Sequence, residues 1–311
     1  PATTAPATTT PTATAGPPTV DELLASGTVL NLAHAGGDQD HPHSTMYAYR
    51  ESLAAGADVL ELDVQLTADG YLIVQHDDTT AKTTEADLVV ADTDLVTLRA
   101  LDNAYWWSPD CWPCHDLADD AYPFRGVRTG DVAPPPGYAP DDFAIVTLDE
   151  LAAAFPTVPF DIEIKGSGDA GLAVADALAS DLNELGRLDS TVVASFDDAV
   201  IEYFHSQAPE VAVSPGVNTM AAWLLAGADL APYYRIVQIP PVYESGDTRI
   251  EVLTAEHLAI AEAAGVTVWV WPNDAGTQEN ETFYRELVAM GVGGIIAGRP
   301  AQATAAIAGT G

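Results

Sequence analysis

Charged side chains interrupt several apolar, strand-like segments of this 311-residue chain. Glu61 and Asp63 are two residues apart, so both side chains leave a strand on the same face. Glu163 and Lys165 repeat this spacing in a later segment. Carboxylates held this close together are unfavourable unless a cation lies between them. The three carboxylates therefore predict a site for one hard divalent cation, Ca²⁺ or Mg²⁺, to which Lys165 adds positive charge.

Two histidines are expected to lie beside these carboxylates. His34 follows the first apolar segment, and His76 follows a turn at Thr67–Gly70 that returns the chain toward His34. Imidazole titrates near neutral pH, so a pair of histidines at a cation site can serve as general base and general acid. A purely structural role for either histidine is the alternative.

Strands that alternate with helices must position these side chains. From about residue 28, segments rich in Val, Ile and Leu alternate with Ala-rich segments, which is typical of a parallel sheet covered by helices. This pattern predicts an α/β fold, a (β/α)8 TIM barrel with its chemistry at the carboxyl ends of the strands, and a doubly wound open sheet is the alternative. The predicted strands are Val29–Ala33, Val59–Leu66, Leu72–Gln75, Phe160–Ile164, Thr191–Ala194, Val211–Val213, Ile236–Ile239, Val266–Trp271 and Gly294–Ala297. The predicted helices are Thr45–Ala55, Leu148–Ala154, Ala170–Leu185, Ala199–Ser206, Ala221–Leu225, Ala255–Ala264, Glu279–Met290 and Pro300–Ala308.

Two segments depart from this alternation. Residues 1–27 are predicted to be a disordered, Pro/Thr/Ala-rich tether, because the segment begins with a long run that lacks periodicity, charge and large apolar side chains. The barrel domain is expected to occupy residues 28–311. Within it, residues 102–146 show neither a helical nor a strand period, and we expect this long insertion to lie over the mouth of the barrel.

Charge and cysteine content restrict the partners and the compartment. A formal net charge of −35 disfavours nucleic acid and anionic membranes as partners, and no apolar run is long enough to span a membrane. The tether and the two cysteines predict an exported protein, extracellular or anchored to the cell envelope. Cys111 and Cys114 are expected to form a disulfide, although the pattern they make with His115 leaves haem attachment, a redox pair and zinc binding as alternatives.

Several stretches resemble the glycerophosphodiester phosphodiesterase family. They are Glu61–Gly70 followed by His76–Asp77, then Asp161–Lys165, Trp269–Asn273 and Gly293–Pro300. The resemblance implies a (β/α)8 barrel with one divalent cation, which hydrolyses a small-molecule glycerophosphodiester to glycerol 3-phosphate and an alcohol. It also implies site roles: His34 and His76 as the acid–base pair, Glu61, Asp63 and Glu163 as cation ligands, Lys165 as a phosphate contact, and Trp271 as a wall of the substrate pocket.

Two positions differ from the family's pattern. Ala35 replaces an arginine after the first histidine, and His43–Ser44 replaces Glu-Asn at the next helix start. Because arginine can hold a phosphate with two parallel hydrogen bonds and alanine cannot, we expect phosphate binding to depend on the cation and Lys165. His43, Arg125 and Arg128 are further candidates, and His43 at a helix start beside the mouth is the preferred one.

Two other functions remain open at this point. A phospholipase D-like phosphotransferase could use the same histidines and carboxylates to form a cyclic phosphate. A non-catalytic protein that binds a phosphoglycerol polymer is the other alternative, since the missing arginine could have removed catalysis. The sequence does not indicate an oligomeric state.

Overall fold

The computed structural model describes residues 16–109, 111–246 and 248–309. Its strands are β1 Leu30–Ala33, β2 Val59–Leu66, β3 Leu72–Val74, β4 Phe160–Ile164, β5 Thr191–Ala194, β6 Ala212–Val213, β7 Ile236–Ile239, β8 Val242–Ser245, β9 Thr248–Glu251, β10 Thr267–Val270 and β11 Gly294–Ala297. Its helices are α1 Val20–Ala25, α2 Met46–Ala54, α3 Leu95–Leu98, α4 Leu148–Ala154, α5 Gly168–Glu184, α6 Asp198–Gln207, α7 Val217–Ala226, α8 Ala255–Ala264, α9 Glu281–Met290 and α10 Pro300–Ala308.

The parallel strands form a nearly closed barrel, in the order β6-β5-β4-β2-β1-β11-β10-β7. The first strand, β1, pairs in parallel with both β2 and the last strand, β11, as in a closed barrel rather than a doubly wound sheet. Between β6 and β7 the N–H of Gln238 donates to Ser214 Oγ over 3.1 Å. Strand β3 pairs antiparallel with the end of β2, and β8 and β9 form a separate hairpin. The prediction of a (β/α)8 barrel is therefore confirmed.

Alternate residues of each barrel strand face different surroundings. In β2, Leu60, Leu62 and Val64 pack outward against the helices, so Glu61 and Asp63 face the barrel interior. The lower interior is an apolar layer that includes Leu30, Leu32, Val59, Val192, Ala212, Ile236, Trp269 and Ile296. The period-two pattern of the sequence thus separates an apolar outer face from the acidic site.

The predicted tether is too long at its carboxyl end. Helix α1 lies within residues 1–27, and it begins with a capping box between Thr19 and Glu22. Its Val20, Leu23 and Leu24 pack into the apolar interior layer, and the N–H of Val20 donates to the carbonyl of Asp189. Val20 is buried, Leu23 and Leu24 are partly buried against the same layer, and this apolar face joins α1 to the barrel domain. Residues 1–15 of the predicted tether lie outside the described residues.

The insertion at residues 102–146 packs beside the mouth through its own aromatic core. It contains two 3₁₀ helices, Asp119–Ala121 and Pro140–Phe143, and the predicted disulfide between Cys111 and Cys114 is present. Phe143 packs with Phe124 and with Tyr47 of α2. In the part of the chain that the structure describes, no helix has the length and apolar character to cross a membrane.

Candidate active site

Four carboxylates meet on neighbouring strands at the barrel mouth. The register of β2 and β4 places Glu61 beside Asp161 and Asp63 beside Glu163. Burial and the Asp63 carboxylate raise the pKa of Glu61 well above its ordinary value. The pKa of Asp161 rises to about 8, again because of burial and neighbouring carboxylates, although Gln238 donates to its Oδ1 over 2.7 Å. The site thus concentrates more negative charge than its surroundings stabilise.

Lys165 provides the nearest compensation for this charge. Its Nζ lies 2.9 Å from Asp63 Oδ1 and 2.8 Å from Glu163 Oε1. Burial alone would raise the pKa of Asp63, but Lys165 and the neighbouring histidines together outweigh burial and hold that pKa below its ordinary value. The pKa of Lys165 is raised in turn, because the two carboxylates outweigh its own burial. Lys165 is therefore a firmly protonated cation at the centre of the site.

The two predicted histidines flank this group. His34 begins a short turn after β1, where its Nδ1 lies 3.2 Å from Asp38 Oδ1 and its side chain keeps 33% of its surface exposed. Burial alone would lower its pKa, but Asp38 and Glu61 outweigh this effect and raise the pKa of His34 to about 10. His76 is paired through Nδ1 with Asp77. Each imidazole is thus oriented by an adjacent carboxylate and directs its other nitrogen away from that contact.

Two further acids, Asp38 and Glu279, lie close to His34. Glu279 accepts hydrogen bonds from the N–H of Gly298, over 2.9 Å, and from the hydroxyl of Tyr284. Burial and the Asp38 carboxylate raise its pKa to about 7. A Cβ at Gly298 would come within 2.6 Å of Asp38 Oδ1, so a larger residue at this position would displace the Asp38 side chain. Sequence reasoning missed both acids: Asp38 is four residues after His34, but Glu279 reaches the site from a distant loop.

A cavity of about 530 Å³ opens above these groups. Its floor includes His34, Glu61, His76, Glu163 and Lys165, so five of the predicted site residues share one space. Trp271 also lines the cavity, whereas Trp269, two residues earlier in β10, is fully buried in the barrel interior. Asp63 is 1% exposed and lies directly beneath Lys165.

The remaining phosphate-binding candidates do not reach this cavity. His43 is buried, 2% exposed, and its ring lies 6.0 Å from the His76 ring and 6.1 Å from the Trp112 ring. Burial and Lys82 lower its pKa to about 3, so it carries no positive charge for a phosphate. The predicted contact between His43 and phosphate therefore has no support in the geometry, which places His43 behind His76.

Arg125 and Arg128 are engaged in the insertion. The guanidinium of Arg125 lies 4.4, 4.6 and 3.9 Å from the ring centres of Tyr105, Trp106 and Tyr122. Arg128 donates to the carbonyl of Arg99 and pairs with Asp141. Neither arginine lines the cavity, so the geometry does not support either of them as a replacement for the arginine missing at position 35. Buried, left-handed Ala35 instead donates its N–H to Glu61 Oε2 over 2.8 Å.

The oxygen donors of the site are the kind that Ca²⁺ and Mg²⁺ prefer. Asp63 Oδ2 and Asp161 Oδ2 are buried and have no hydrogen-bond partner within the described residues. Nevertheless, no three His, Cys, Asp or Glu side chains of residues 16–109, 111–246 and 248–309 are arranged closely enough to hold a metal ion as they stand. The donor atoms therefore suit a divalent cation. Their present spacing is set by the ammonium group of Lys165, which lies between two of the predicted ligands, Asp63 and Glu163.

Fold and site together define a β/α-barrel protein whose mouth combines histidines, carboxylates and a lysine. The sequence profile of the Glycerophosphoryl diester phosphodiesterase family matches residues 34–302, and the chain belongs to this family.

Relatives match mainly in shorter stretches. The chain is 42% identical over 73 residues to a glycerophosphodiester phosphodiesterase of Caldanaerobacter subterraneus, which covers 24% of this chain and 30% of that protein. It is 39% identical over 93 residues to a probable glycerophosphodiester phosphodiesterase 1 of Mycobacterium tuberculosis, which covers 29% of this chain and 34% of that protein. The chain thus spans about a third of each of these two relatives.

Solved structures agree with the fold over most of the chain. A glycerophosphoryl diester phosphodiesterase domain from Mycobacterium tuberculosis has a TM-score of 0.68 at 16% identity, and the match covers 90% of this chain and 98% of that one. A phosphodiesterase from Oleispira antarctica, solved with the product sn-glycerol-3-phosphate, has a TM-score of 0.66 at 18% identity, with 92% and 99% covered. At these identities the likeness concerns the fold.

Proposed function

We propose that this protein hydrolyses glycerophosphodiesters to glycerol 3-phosphate and an alcohol, with a divalent cation at Glu61, Asp63 and Glu163. The observation that carries the proposal is the shared cavity, whose floor joins two carboxylate-oriented histidines to one protonated lysine. Family membership supports the same activity.

The lysine and the two histidines of the site would have different roles, which follow from their charge and their ability to transfer protons. A phosphodiester is an anion, and Lys165 offers an ammonium group to its non-bridging oxygens. His34 and His76 together supply a base, which takes a proton from the nucleophile, and an acid, which protonates the departing alkoxide. Asp38 and Asp77 hold the two rings through their Nδ1 atoms, so each Nε2 is the atom that moves a proton.

A bound Ca²⁺ or Mg²⁺ would act as a Lewis acid toward the phosphate and would balance the carboxylate charge. Unpartnered Asp63 Oδ2 and the raised pKa of Glu61 both support such a cation. A cation among these carboxylates would reduce their hold on Lys165, which would leave that ammonium group available for phosphate.

The test is turnover of glycerophosphocholine by the full chain with Ca²⁺, with Mg²⁺ and with a chelator, followed by phosphorus NMR. We expect glycerol 3-phosphate as the first product and loss of turnover with the chelator. A cyclic phosphate as the first product would support the phosphotransferase alternative instead. Failure to cleave any of several glycerophosphodiesters with either cation would contradict the proposed function.

Export remains part of the proposal. The disulfide between Cys111 and Cys114 supports an oxidising compartment outside the cytosol. Cell fractionation combined with thiol labelling tests this expectation. Recovery of the protein in the cytosol with both thiols free would contradict it.

A further inference from the structure

The cavity above the carboxylates continues into an apolar arm. We give the name "apolar arm" to the walls formed by α7, by the β8–β9 hairpin, and by the pair Phe196 and Trp271. Of the described residues that line the whole cavity, Lys165 is the sole lysine or arginine, and it lies on the floor beside the two histidines. The cavity therefore joins a polar, reactive end to an apolar end.

Helix α7 contributes one complete apolar face to this arm. The residues of α7 that line the cavity are Val217, Met220, Ala221, Leu224 and Leu225. Their spacing of three and four residues is the spacing of a single helical face. Trp223 lies outside the cavity lining and packs into the core between strands and helices, together with Leu224 and Met220. The helix thus contributes to the core and also presents apolar side chains to the cavity.

Other walls of the cavity are apolar as well. Tyr243 of β8 and Ile250 of β9 line the cavity, so the hairpin forms a second part of its apolar wall. The rings of Phe196 and Trp271 meet edge to face, 5.7 Å apart, and form a third wall. Phe196 and Leu225 each remain 51% exposed, and exposed large apolar side chains that lie together mark interaction or ligand-binding surfaces. A contiguous apolar concavity of this kind is typical of a ligand-binding site.

The other side of the mouth is different in character. There, Lys82 lies 3.9 Å from Asp77, next to His76, and its ammonium group is 5.8 Å from the Trp112 ring. Lys82 and Trp112 lie outside the lining of the cavity. A phosphodiester at the floor would therefore have an apolar wall on one side and a polar, aromatic rim on the other.

We propose that the apolar arm binds the single acyl chain of a monoacylated glycerophosphodiester, a lysophospholipid-type substrate, while the phosphate lies at the floor and a polar head group faces Lys82 and Trp112. This inference rests on the proposed function and names its substrate class. Glycerol is the alcohol common to the proposed substrates, and its free hydroxyl is where an acyl chain would be attached. The continuity of the arm with the floor favours a chain covalently joined to the reacting phosphate over a separate protein partner.

The proposal predicts a dependence on chain length. Each methylene group that becomes fully buried strengthens binding by about fourfold, which is an upper limit for a half-open arm. Because the chain is remote from the phosphorus, this binding acts equally on ground state and transition state. We therefore expect KM to fall with chain length and kcat to change little, until the chain outgrows the cavity.

The experiment measures kcat and KM for glycerophosphocholine and for its butanoyl, hexanoyl, octanoyl and decanoyl 1-acyl derivatives, below the concentration at which they form micelles. A parallel series carries the same chains on the other alcohol of the diester, with the glycerol left free. We expect a fall in KM on the order of 10²-fold from butanoyl to decanoyl in the first series, since six methylenes are added at partial burial, and a much smaller fall in the second.

Two variants with the same substitution on α7 locate the effect. Ala221→Phe places a ring inside the arm, whereas Ala226→Phe places one on the exposed end of the helix, outside the cavity lining. We expect Ala221→Phe to reduce the ratio of kcat/KM for the decanoyl substrate to that for glycerophosphocholine by about tenfold or more. Ala226→Phe should leave both activities unchanged, and melting curves check that both variants fold.

The possible outcomes separate this inference from the proposed function. Turnover of glycerophosphocholine with a KM that does not depend on the acyl chain would overturn the inference and leave the function in place. A preference for the second series would also overturn it, because the chain would then belong to the other alcohol. An equal loss of chain preference in both variants would show that the arm is not where the chain binds. Absence of turnover for every substrate would contradict the proposed function itself.

Discussion

Replacement of Glu279 by glutamine should make the protein's stability less dependent on pH. Glu279 is 8% exposed, and its pKa rises from 4.5 to about 7 because of burial and the Asp38 carboxylate. A shift of this size corresponds to about 3 kcal/mol against the charged form in the folded state. Glutamine keeps the shape and one acceptor for the N–H of Gly298 but removes the charge.

The sign of the effect follows from proton binding. In the unfolded chain Glu279 loses its proton near its ordinary pKa, whereas in the folded protein it keeps the proton up to about pH 7. The folded state thus binds more protons between these values, so its stability falls as the pH rises through this window and changes no further above it. Between pH about 5 and about 8, this titration should lower the free energy of unfolding of wild type by about 2 to 3 kcal/mol. Glu279→Gln should not show this loss.

Urea denaturation of both proteins at these two pH values measures the effect. The lower value stays above the sequence pI of about 4.1, where the low net charge would promote association. Glu286→Gln, at an exposed position on α9, is the matched control, and its difference from wild type should be the same at both pH values. If the free energy of unfolding of Glu279→Gln does not increase relative to that of wild type as the pH rises, this account of the buried acid is refuted.

Three further predictions concern the site and its frame. His34→Gln and His76→Gln should each lower kcat by about 10²- to 10⁴-fold with an unchanged circular dichroism spectrum, and near-normal turnover would exclude the acid–base role. Lys165→Gln should lower the free energy of unfolding, measured by urea denaturation, by about 3 to 5 kcal/mol in the presence of a chelator. The loss should be much smaller with Ca²⁺ or Mg²⁺. An equal loss under both conditions would argue against a cation among these carboxylates. Arg187→Met removes a guanidinium that donates to three main-chain carbonyls, so it should cost about 3 kcal/mol in urea denaturation; a smaller cost than about 1 kcal/mol would mean that water replaces these bonds.

Much of the barrel and of the site could be predicted because both depend on local patterns. β2, β4 and β11 have the predicted bounds, and the alternation in β2 correctly placed Glu61 and Asp63 on the interior face. The approach of His34 to His76 followed from the turn before β3. These features need only the period of a strand and the parallel arrangement of its neighbours.

The rest depended on contacts between distant segments or on weak signals. Glu279 is brought to Asp38 by the barrel's closure, which no local pattern encodes. His43 was misplaced because its position in the sequence did not reveal that Trp112 of the insertion covers it. The β8–β9 hairpin lacked a clear alternation of polar and apolar residues, whereas α1 had a signal in its capping box.

Helix α1 also determines where the described chain enters the domain. It seals the end of the barrel where the strands begin, beside Asp189 and Arg235 in the loops that precede β5 and β7. The carboxylates and histidines lie at the other end. The described chain therefore enters the domain at its base, and the entrance to the cavity lies at the opposite end.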